Sequence, residues 1–150
     1  MSTTETAANQ NVARAGYVLD AQVGFILRQV HQRHAVIFAS HAMDDLTPTQ
    51  WAALAKLRET GACSQNLLGR LTAMDVATVK GVIERLTKRG YVDTAPDPTD
   101  GRRVLLTLSP AGVDAYERVV DQARAITQDT LSPLKPKQQA TLLALLDRLR

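Results

Sequence analysis

The sequence predicts a mainly α-helical fold with one small β-hairpin. Three observations lead to this prediction. Apolar residues recur at helical spacing along most of the chain, aromatic residues make up only 4% of it, and strand-like residues are confined to two segments around residues 96–101. With 150 residues, 45% of them hydrophobic, the chain can bury one substantial core. We therefore expect a single domain over residues 13–150, behind a disordered tail at residues 1–12.

Composition narrows the class of protein. The single cysteine, Cys63, excludes an intramolecular disulfide framework and is typical of a reducing compartment. The first dozen residues lack the features of a secretory leader, and no apolar run approaches the roughly 18 residues that a membrane span needs. We expect a soluble cytoplasmic protein with no membrane partner. The net charge is +3, and residues 61–103 carry the largest basic excess, with seven basic and five acidic residues, which points weakly to a polyanionic partner.

Residues 17–43 predict one long first helix. Its apolar residues form two stripes at helical spacing, so the helix should pack against more than one neighbour, as a dimer or a buried central helix would require. One stripe contains Leu19, Val23, Ile26, Val30 and Ile37, and the other contains Val18, Phe25, Val36 and Met43.

Capping signals then predict three shorter helices with short connections. Thr47, Pro48 and Gln50 have the pattern of an N-cap, a first-turn proline and a capping box. Ser64 begins a short second helix, and Asp75 can cap a third that runs to residue 89. The third helix should turn an apolar face inward (Val76, Val79, Ile83 and Leu86) and a small, polar face outward (Ala77, Lys80, Gly81, Glu84 and Lys88).

A hairpin and two more helices complete the predicted order. Residues 91–95 and 102–108 have strand-like composition. The segment between them is rich in proline, aspartate and glycine, which disfavour both a helix and the hydrogen bonding of a strand, so it should be a loop. Ser109 and Pro110 repeat the N-cap signature before a helix at residues 111–130. The last helix, from Lys137, carries Leu142, Leu145, Leu146 and Leu149, too much leucine to leave exposed.

This order over residues 47–108 is typical of a winged helix-turn-helix, in which a recognition helix enters the major groove and a hairpin, the wing, reaches the adjacent backbone or minor groove. We expect Arg102 to enter a narrow minor groove, with Asp100 orienting its side chain by a charge-assisted hydrogen bond. The predicted phosphate contacts at a helix start are Ser64, Gln65 and Asn66. The other predicted DNA-binding residues are Ala77, Thr78, Lys80, Gly81, Arg85 and Arg103.

Residues 97–112, DPTDGRRVLLTLSPAG, preceded by VKGVIERLTKRGY at residues 79–91, strongly resemble the MarR family of regulators. The resemblance implies a homodimer on a pseudo-palindromic operator, with residues 17–43 and 111–150 as the dimerisation helices. It also implies a repressor that is released by a small aromatic carboxylate or phenol, with no cofactor, and links to aromatic compound catabolism. Asp100 and Arg102 match the wing-tip pair of the family, whereas Gly81 stands where many members have arginine.

Two other classes of function have less support in the sequence. No nucleophile beside a base, paired carboxylates or metal triad appears at suggestive spacing, so the sequence does not predict an enzyme. An interaction module without an operator would have the same fold but no sequence preference. An aromatic acid needs aromatic side chains to stack on its ring and a cationic or hydrogen-bonding side chain to hold its polar group. The residues predicted for such an effector pocket are Phe25, Arg28, His31, Phe38, Trp51 and Tyr116.

The alternative sensing chemistries are zinc and thiol oxidation. His31, His34 and His41, with an acidic partner such as Asp44, could bind zinc, although solvated or pocket-lining histidines are the favoured interpretation. Cys63 could sense peroxide, but no basic side chain lies next to it in sequence, which favours an inert small hydrophobe.

Overall fold

The computed structural model describes residues 16–150, and this part of the chain confirms the mainly helical fold class with a small sheet. Of the described residues, 16–36 belong to one compact unit and Ile37–Arg150 form a second. The predicted tail at residues 1–12 lies outside the described residues, and the single domain over residues 13–150 stays a prediction. The helices are α1 (Val23–Ser40), α2 (Pro48–Thr60), α3 (Gln65–Leu71), α4 (Val76–Lys88), α5 (Pro110–Leu131) and α6 (Pro136–Asp147), and the strands are β1 (Cys63–Ser64), β2 (Val92–Pro96) and β3 (Val104–Leu108).

The start of the chain differs from the single helix predicted for residues 17–43. A 3-10 turn at Leu19–Ala21 comes first, and extended backbone at Gln22 separates it from α1. The Gln22 side chain donates a hydrogen bond to the carbonyl of Val18 at 2.9 Å. Apolar spacing continues across this interruption, so the periodicity could not locate it.

Four of the other five α-helices in residues 16–150 begin at predicted capping residues, whereas α6 begins at Pro136, one residue before the predicted Lys137. The N–H of Gln50 donates to Thr47 Oγ1, and the N–H of Thr47 donates to Gln50 Oε1, each at 3.2 Å, which completes the capping box. The side chains of Ser64, Asp75 and Ser109 each accept a hydrogen bond from the backbone N–H three residues ahead. Because caps satisfy otherwise unpaired backbone donors, these four helix starts were readable from the sequence.

The core of the second unit forms where α2 packs against α4, α5 and β3. It is apolar and tightly closed, and its most deeply buried large side chains are Leu54, Leu68, Val79, Val82, Leu86 and Val92. The N-terminal end of α5 approaches the chain after α4 closely, since a Cβ built on Gly112 would lie 2.1 Å from the carbonyl oxygen of Tyr91. This contact positions α5 beside the end of α4.

The three strands form an antiparallel sheet in the order β1-β3-β2. Val92 pairs with Leu108 and Pro96 with Val104, so β2 and β3 make the predicted hairpin. The short strand β1 pairs Ser64 with Leu105 on the other edge of β3. This register brings the start of α3 beside the end of β3 that adjoins the hairpin loop.

Candidate nucleic-acid interface

Helix α4 has the two faces expected of a recognition helix, with two corrections. Val79, Ile83 and Leu86 are buried as predicted, and Val82 is buried beside them because the helix contacts the core over a wider stripe. Val76, predicted to point inward, is 73% exposed. It is the first residue of the helix and lies before the turn that packs on the core.

The outer face of α4 is small near its start and basic further along. Ala77, Thr78, Lys80 and Arg85 are exposed, and Gly81 is half-buried. A Cβ built on Gly81 would lie 3.4 Å from Nη1 of Arg85, so the guanidinium lies over the glycine. The missing side chain at this position therefore leaves room for the guanidinium of Arg85 along the outer face.

A polar cleft of about 490 Å³ joins the start of α3 to the wing. The β1–β3 pairing builds it, since it places Ser64 beside Leu105 although the two are far apart in sequence. Arg70 joins this cleft from the last turn of α3 and was not predicted from the sequence. The available signal was its position four residues after Asn66, because residues four apart lie on the same face of a helix. The polar residues of the cleft are Ser64, Gln65, Asn66, Arg70, Arg102 and Arg103.

The contact of Asp100 differs from the predicted one. One carboxylate oxygen accepts a hydrogen bond from the backbone N–H of Arg102 at 3.0 Å, and the other lies 3.7 Å from Nε of Arg103. The predicted hydrogen bond to the side chain of Arg102 is therefore wrong. The N–H of Arg103 donates to the carbonyl of Asp100, so the loop turns tightly. This turn places Arg103, and not Arg102, beside the carboxylate. The guanidinium of Arg102 is exposed and makes no ion pair within residues 16–150.

Two of the six residues predicted for the effector pocket pack on each other. Trp51 and Tyr116 stack with ring centroids 5.4 Å apart and planes 12° apart, and the guanidinium of Arg58 lies 5.9 Å from the centre of the tyrosine ring. Phe38 is buried in the core of the second unit. Phe25 is half-buried, and Arg28 and His31 are exposed, all on the part of α1 before Ile37. Their participation in one pocket stays a prediction.

The zinc interpretation gains no support from the described residues. Within residues 16–150 no three His, Cys, Asp or Glu side chains are grouped closely enough to hold a metal ion. Instead, Nδ1 of His41 lies 2.9 Å from Gln122 Oε1 and Nε2 lies 2.7 Å from Asp129 Oδ2, both within hydrogen-bonding distance. Asp44, the suggested partner of the histidines, accepts hydrogen bonds from Tyr91 and Arg118.

Cys63 has the surroundings of an inert thiol. It lies on β1, is 4% exposed, and belongs to the core. Burial raises the pKa of the thiol, partly opposed by a hydrogen bond with Thr60. A buried thiol with a raised pKa carries little thiolate, so its position does not favour a redox sensor.

The bonds of His41 predict a pH-dependent stability. Hydrogen bonds to Gln122 and Asp129 raise the pKa of the imidazole above its ordinary value of 6.5, because both ring nitrogens face oxygen acceptors. The stabilisation is therefore complete below the unfolded pKa and is lost as the pH rises through the raised folded pKa. Between about pH 6 and pH 8, we expect the melting temperature of wild type to fall more than that of His41→Asn.

The measurement is thermal unfolding followed by circular dichroism at fixed ionic strength and protein concentration. His31→Asn is the matched control, since it removes an exposed histidine of α1. Equal pH profiles for wild type and His41→Asn would contradict the prediction.

Helix α4 has a small and basic outer face, and the hairpin after it carries Arg102 and Arg103 to the start of α3. This arrangement is the winged helix-turn-helix of a DNA-binding protein. The MarR family model matches residues 44–103. The chain is 35% identical over 150 residues to the HTH-type transcriptional repressor NicR of Pseudomonas putida, covering 99% of this chain and 95% of that one. The chain belongs to the MarR family, and is therefore a DNA-binding transcriptional regulator and not an enzyme.

Solved structures agree with this assignment. A probable transcriptional regulator from Pseudomonas aeruginosa is 56% identical with a TM-score of 0.86, over 89% of this chain and all of that one (100%). BpsR of Bordetella bronchiseptica, whose DNA binding is regulated by 6-hydroxynicotinic acid, is 41% identical with a TM-score of 0.86, over 90% of this chain and 97% of that one. None of the helices in residues 16–150 has the length and apolar character to cross a bilayer.

Proposed function

We propose that this protein is a homodimeric repressor whose operator binding is weakened by a small aromatic acid of the hydroxylated pyridine carboxylate class. The cleft that joins the wing arginines to the start of α3, beside the exposed face of α4, carries the DNA-binding part of the proposal. The ligand class is supported by the likeness to BpsR, which extends over 90% of this chain.

A second copy of the chain is the partner proposed for the terminal helices. Helix α6 has no buried residue, and three of its four leucines, Leu143, Leu145 and Leu146, are exposed. The first part of the chain shows the same feature between Leu19 and Val36. Apolar surface of this extent is rare on a monomer and is typical of an interface. The exposed large apolar residues of these two segments are Tyr17, Leu19, Val23, Ile26, Leu27, Val30, Val36, Leu143, Leu145, Leu146 and Leu149.

The dimer would present two recognition helices to one face of a pseudo-palindromic operator. Successive major grooves on one face lie about 34 Å apart, so the two copies of α4 must be held near this spacing. Lys80 and Arg85 would then face base edges or phosphates, and Arg102 would reach the adjacent minor groove, where a narrow groove concentrates negative potential.

Induction by a ligand requires a difference in affinity between two arrangements of the dimer. A ligand that binds both arrangements equally shifts nothing, so the aromatic acid must bind the DNA-incompetent arrangement more tightly. The ring surfaces and polar groups among the predicted pocket residues suit a planar acid.

The test of this proposal is fluorescence anisotropy with a labelled operator, with and without 6-hydroxynicotinate. We expect the ligand to raise the operator Kd about tenfold, within the usual range of allosteric coupling. Nicotinate, which lacks the ring hydroxyl, serves as the matched ligand control and should act more weakly. An operator Kd that neither compound changes, in a protein that binds the operator tightly, would contradict the ligand proposal and leave DNA binding in place.

A further inference from the structure

A polar cluster links the end of α4 to α5 through the connection between α1 and α2. The Asp44 cluster, as we call it, consists of Asp44, Arg89, Tyr91 and Arg118. The carboxylate Oδ2 of Asp44 accepts hydrogen bonds from the Tyr91 hydroxyl at 2.8 Å and from Nη2 of Arg118 at 3.0 Å. These residues belong to three separate parts of the chain, so the cluster is a tertiary crosslink.

Arg89 ties the same connection to the end of the recognition helix. It is the C-cap of α4, and its Nη2 donates to the backbone carbonyl of Asp44 at 2.8 Å. Its guanidinium lies 4.7 Å from the centre of the Tyr91 ring. Backbone and side chain of Asp44 are therefore both held by residues at the end of α4 or just after it.

The backbone at Asp44 is in an uncommon conformation. Asp44 and Asp45 both have φ of 55°, in the left-handed region that aspartate tolerates better than most residues. The hydrogen bond from Tyr91, with Arg118 beside it, holds the pKa of the Asp44 carboxyl below its usual range, so the group is ionised at neutral pH. A strained backbone thus presents a charged acceptor to two donors.

The end of α4 has a second attachment to α5, at the start of that helix. Ser109 donates from its hydroxyl to the carbonyl of Gly90 and from its N–H to the carbonyl of Tyr91 at 3.0 Å. Ser109 and Arg118 are nine residues apart on one helix, about 13 Å along its axis at 1.5 Å per residue. Helix α2 packs against both α4 and α5, and two separated attachments hold the angle between α4 and α5 more firmly than this packing and one attachment would.

We propose that Asp44 is a positioning residue for operator recognition, whose carboxylate bridges Tyr91 and Arg118 and thereby holds the angle between the recognition helix and α5. This inference rests on the proposed function, because the angle matters through the spacing of two recognition helices on one operator. Asp44 acts through other residues, since its partners are protein side chains and not bases.

The test compares Asp44→Asn with Asp45→Asn in the full-length protein. Both substitutions remove one negative charge and both keep a residue that tolerates positive φ, but only Asp44→Asn changes a contact of the cluster. Operator affinity should fall about tenfold in Asp44→Asn, the order expected for a lost charge-assisted hydrogen bond, and should change less than about twofold in Asp45→Asn. Tyr91→Phe removes one hydroxyl and gives a second, milder variant that keeps the ring beneath Arg89.

The readout specific to positioning is the preference for half-site spacing. Inserting one base pair between the half-sites moves them by about 3.4 Å and rotates one of them, which a rigid dimer should reject strongly. We expect the affinity ratio between the native and lengthened operators to fall at least about threefold in Asp44→Asn and in Tyr91→Phe, and to stay at the wild-type value in Asp45→Asn. The salt dependence of binding should not change, since no phosphate contact is removed.

Two results would overturn the inference. One is an operator affinity for Asp44→Asn equal to that of Asp45→Asn. The other is a loss of affinity with an unchanged spacing preference in both cluster variants, because a general loss of stability would produce that pattern. If wild type itself prefers no operator over non-specific duplex, the proposed function fails and this inference falls with it, a result distinct from either of the others.

Discussion

Gly112→Ala is expected to destabilise the protein by about 3 kcal/mol or more, at the upper end of overpacking substitutions. The added Cβ would lie 2.1 Å from the carbonyl oxygen of Tyr91 and 3.0 Å from its carbonyl carbon, so it meets backbone and not a flexible side chain. The same carbonyl accepts a hydrogen bond from the N–H of Ser109, so it cannot move away without breaking that bond. Urea unfolding at fixed protomer concentration measures the effect.

Gly81→Ala is the matched control for this substitution. It adds the same atom to a helical glycine, but the neighbour is the far end of the flexible Arg85 side chain at 3.4 Å. Alanine has the higher helix propensity, so we expect a gain of up to about 1 kcal/mol. If both variants unfolded at the wild-type denaturant midpoint, the close approach of α5 to Tyr91 would be wrong.

Arg102→Ala is expected to weaken operator binding by about tenfold to a hundredfold, the range for an arginine that contacts a base edge or a narrow minor groove. The side chain is exposed in the loop of the wing and shares its cleft with the start of α3. Removing a cation that neutralises phosphate should also make the salt dependence of binding less steep. Fluorescence anisotropy with the operator at several salt concentrations measures both quantities.

Arg124→Ala serves as the charge control for the wing variant. It removes an exposed arginine of α5 that pairs with Asp121 at 2.6 Å, and it leaves the cleft unchanged. Its operator affinity should lie within about twofold of wild type, since an isolated surface ion pair contributes little. Equal affinities for Arg102→Ala and Arg124→Ala would place the wing away from the DNA.

The local signals in the sequence predicted helix starts and the hairpin well, and they were weaker on side-chain partners. Asp75 and Ser109 cap helices as expected because capping depends on a few neighbouring residues. The role of Asp100 was predicted only in part, because the side chain that meets its carboxylate depends on how tightly the loop turns. Arg70 was missed because strand pairing, and not chain proximity, brings α3 to the wing.

By itself the sequence determined the helical class, the capped helix starts, the hairpin and the family resemblance, since each depends on residues close together along the chain. Only the tertiary structure decided that Asp44 meets Tyr91 and Arg118, that His41 meets Gln122 and Asp129, and that the two arginines of the wing share a cleft with α3. These contacts join residues up to 88 positions apart. Periodicity and propensity describe the backbone locally, so they contain no information about which distant side chains packing will bring within hydrogen-bonding distance.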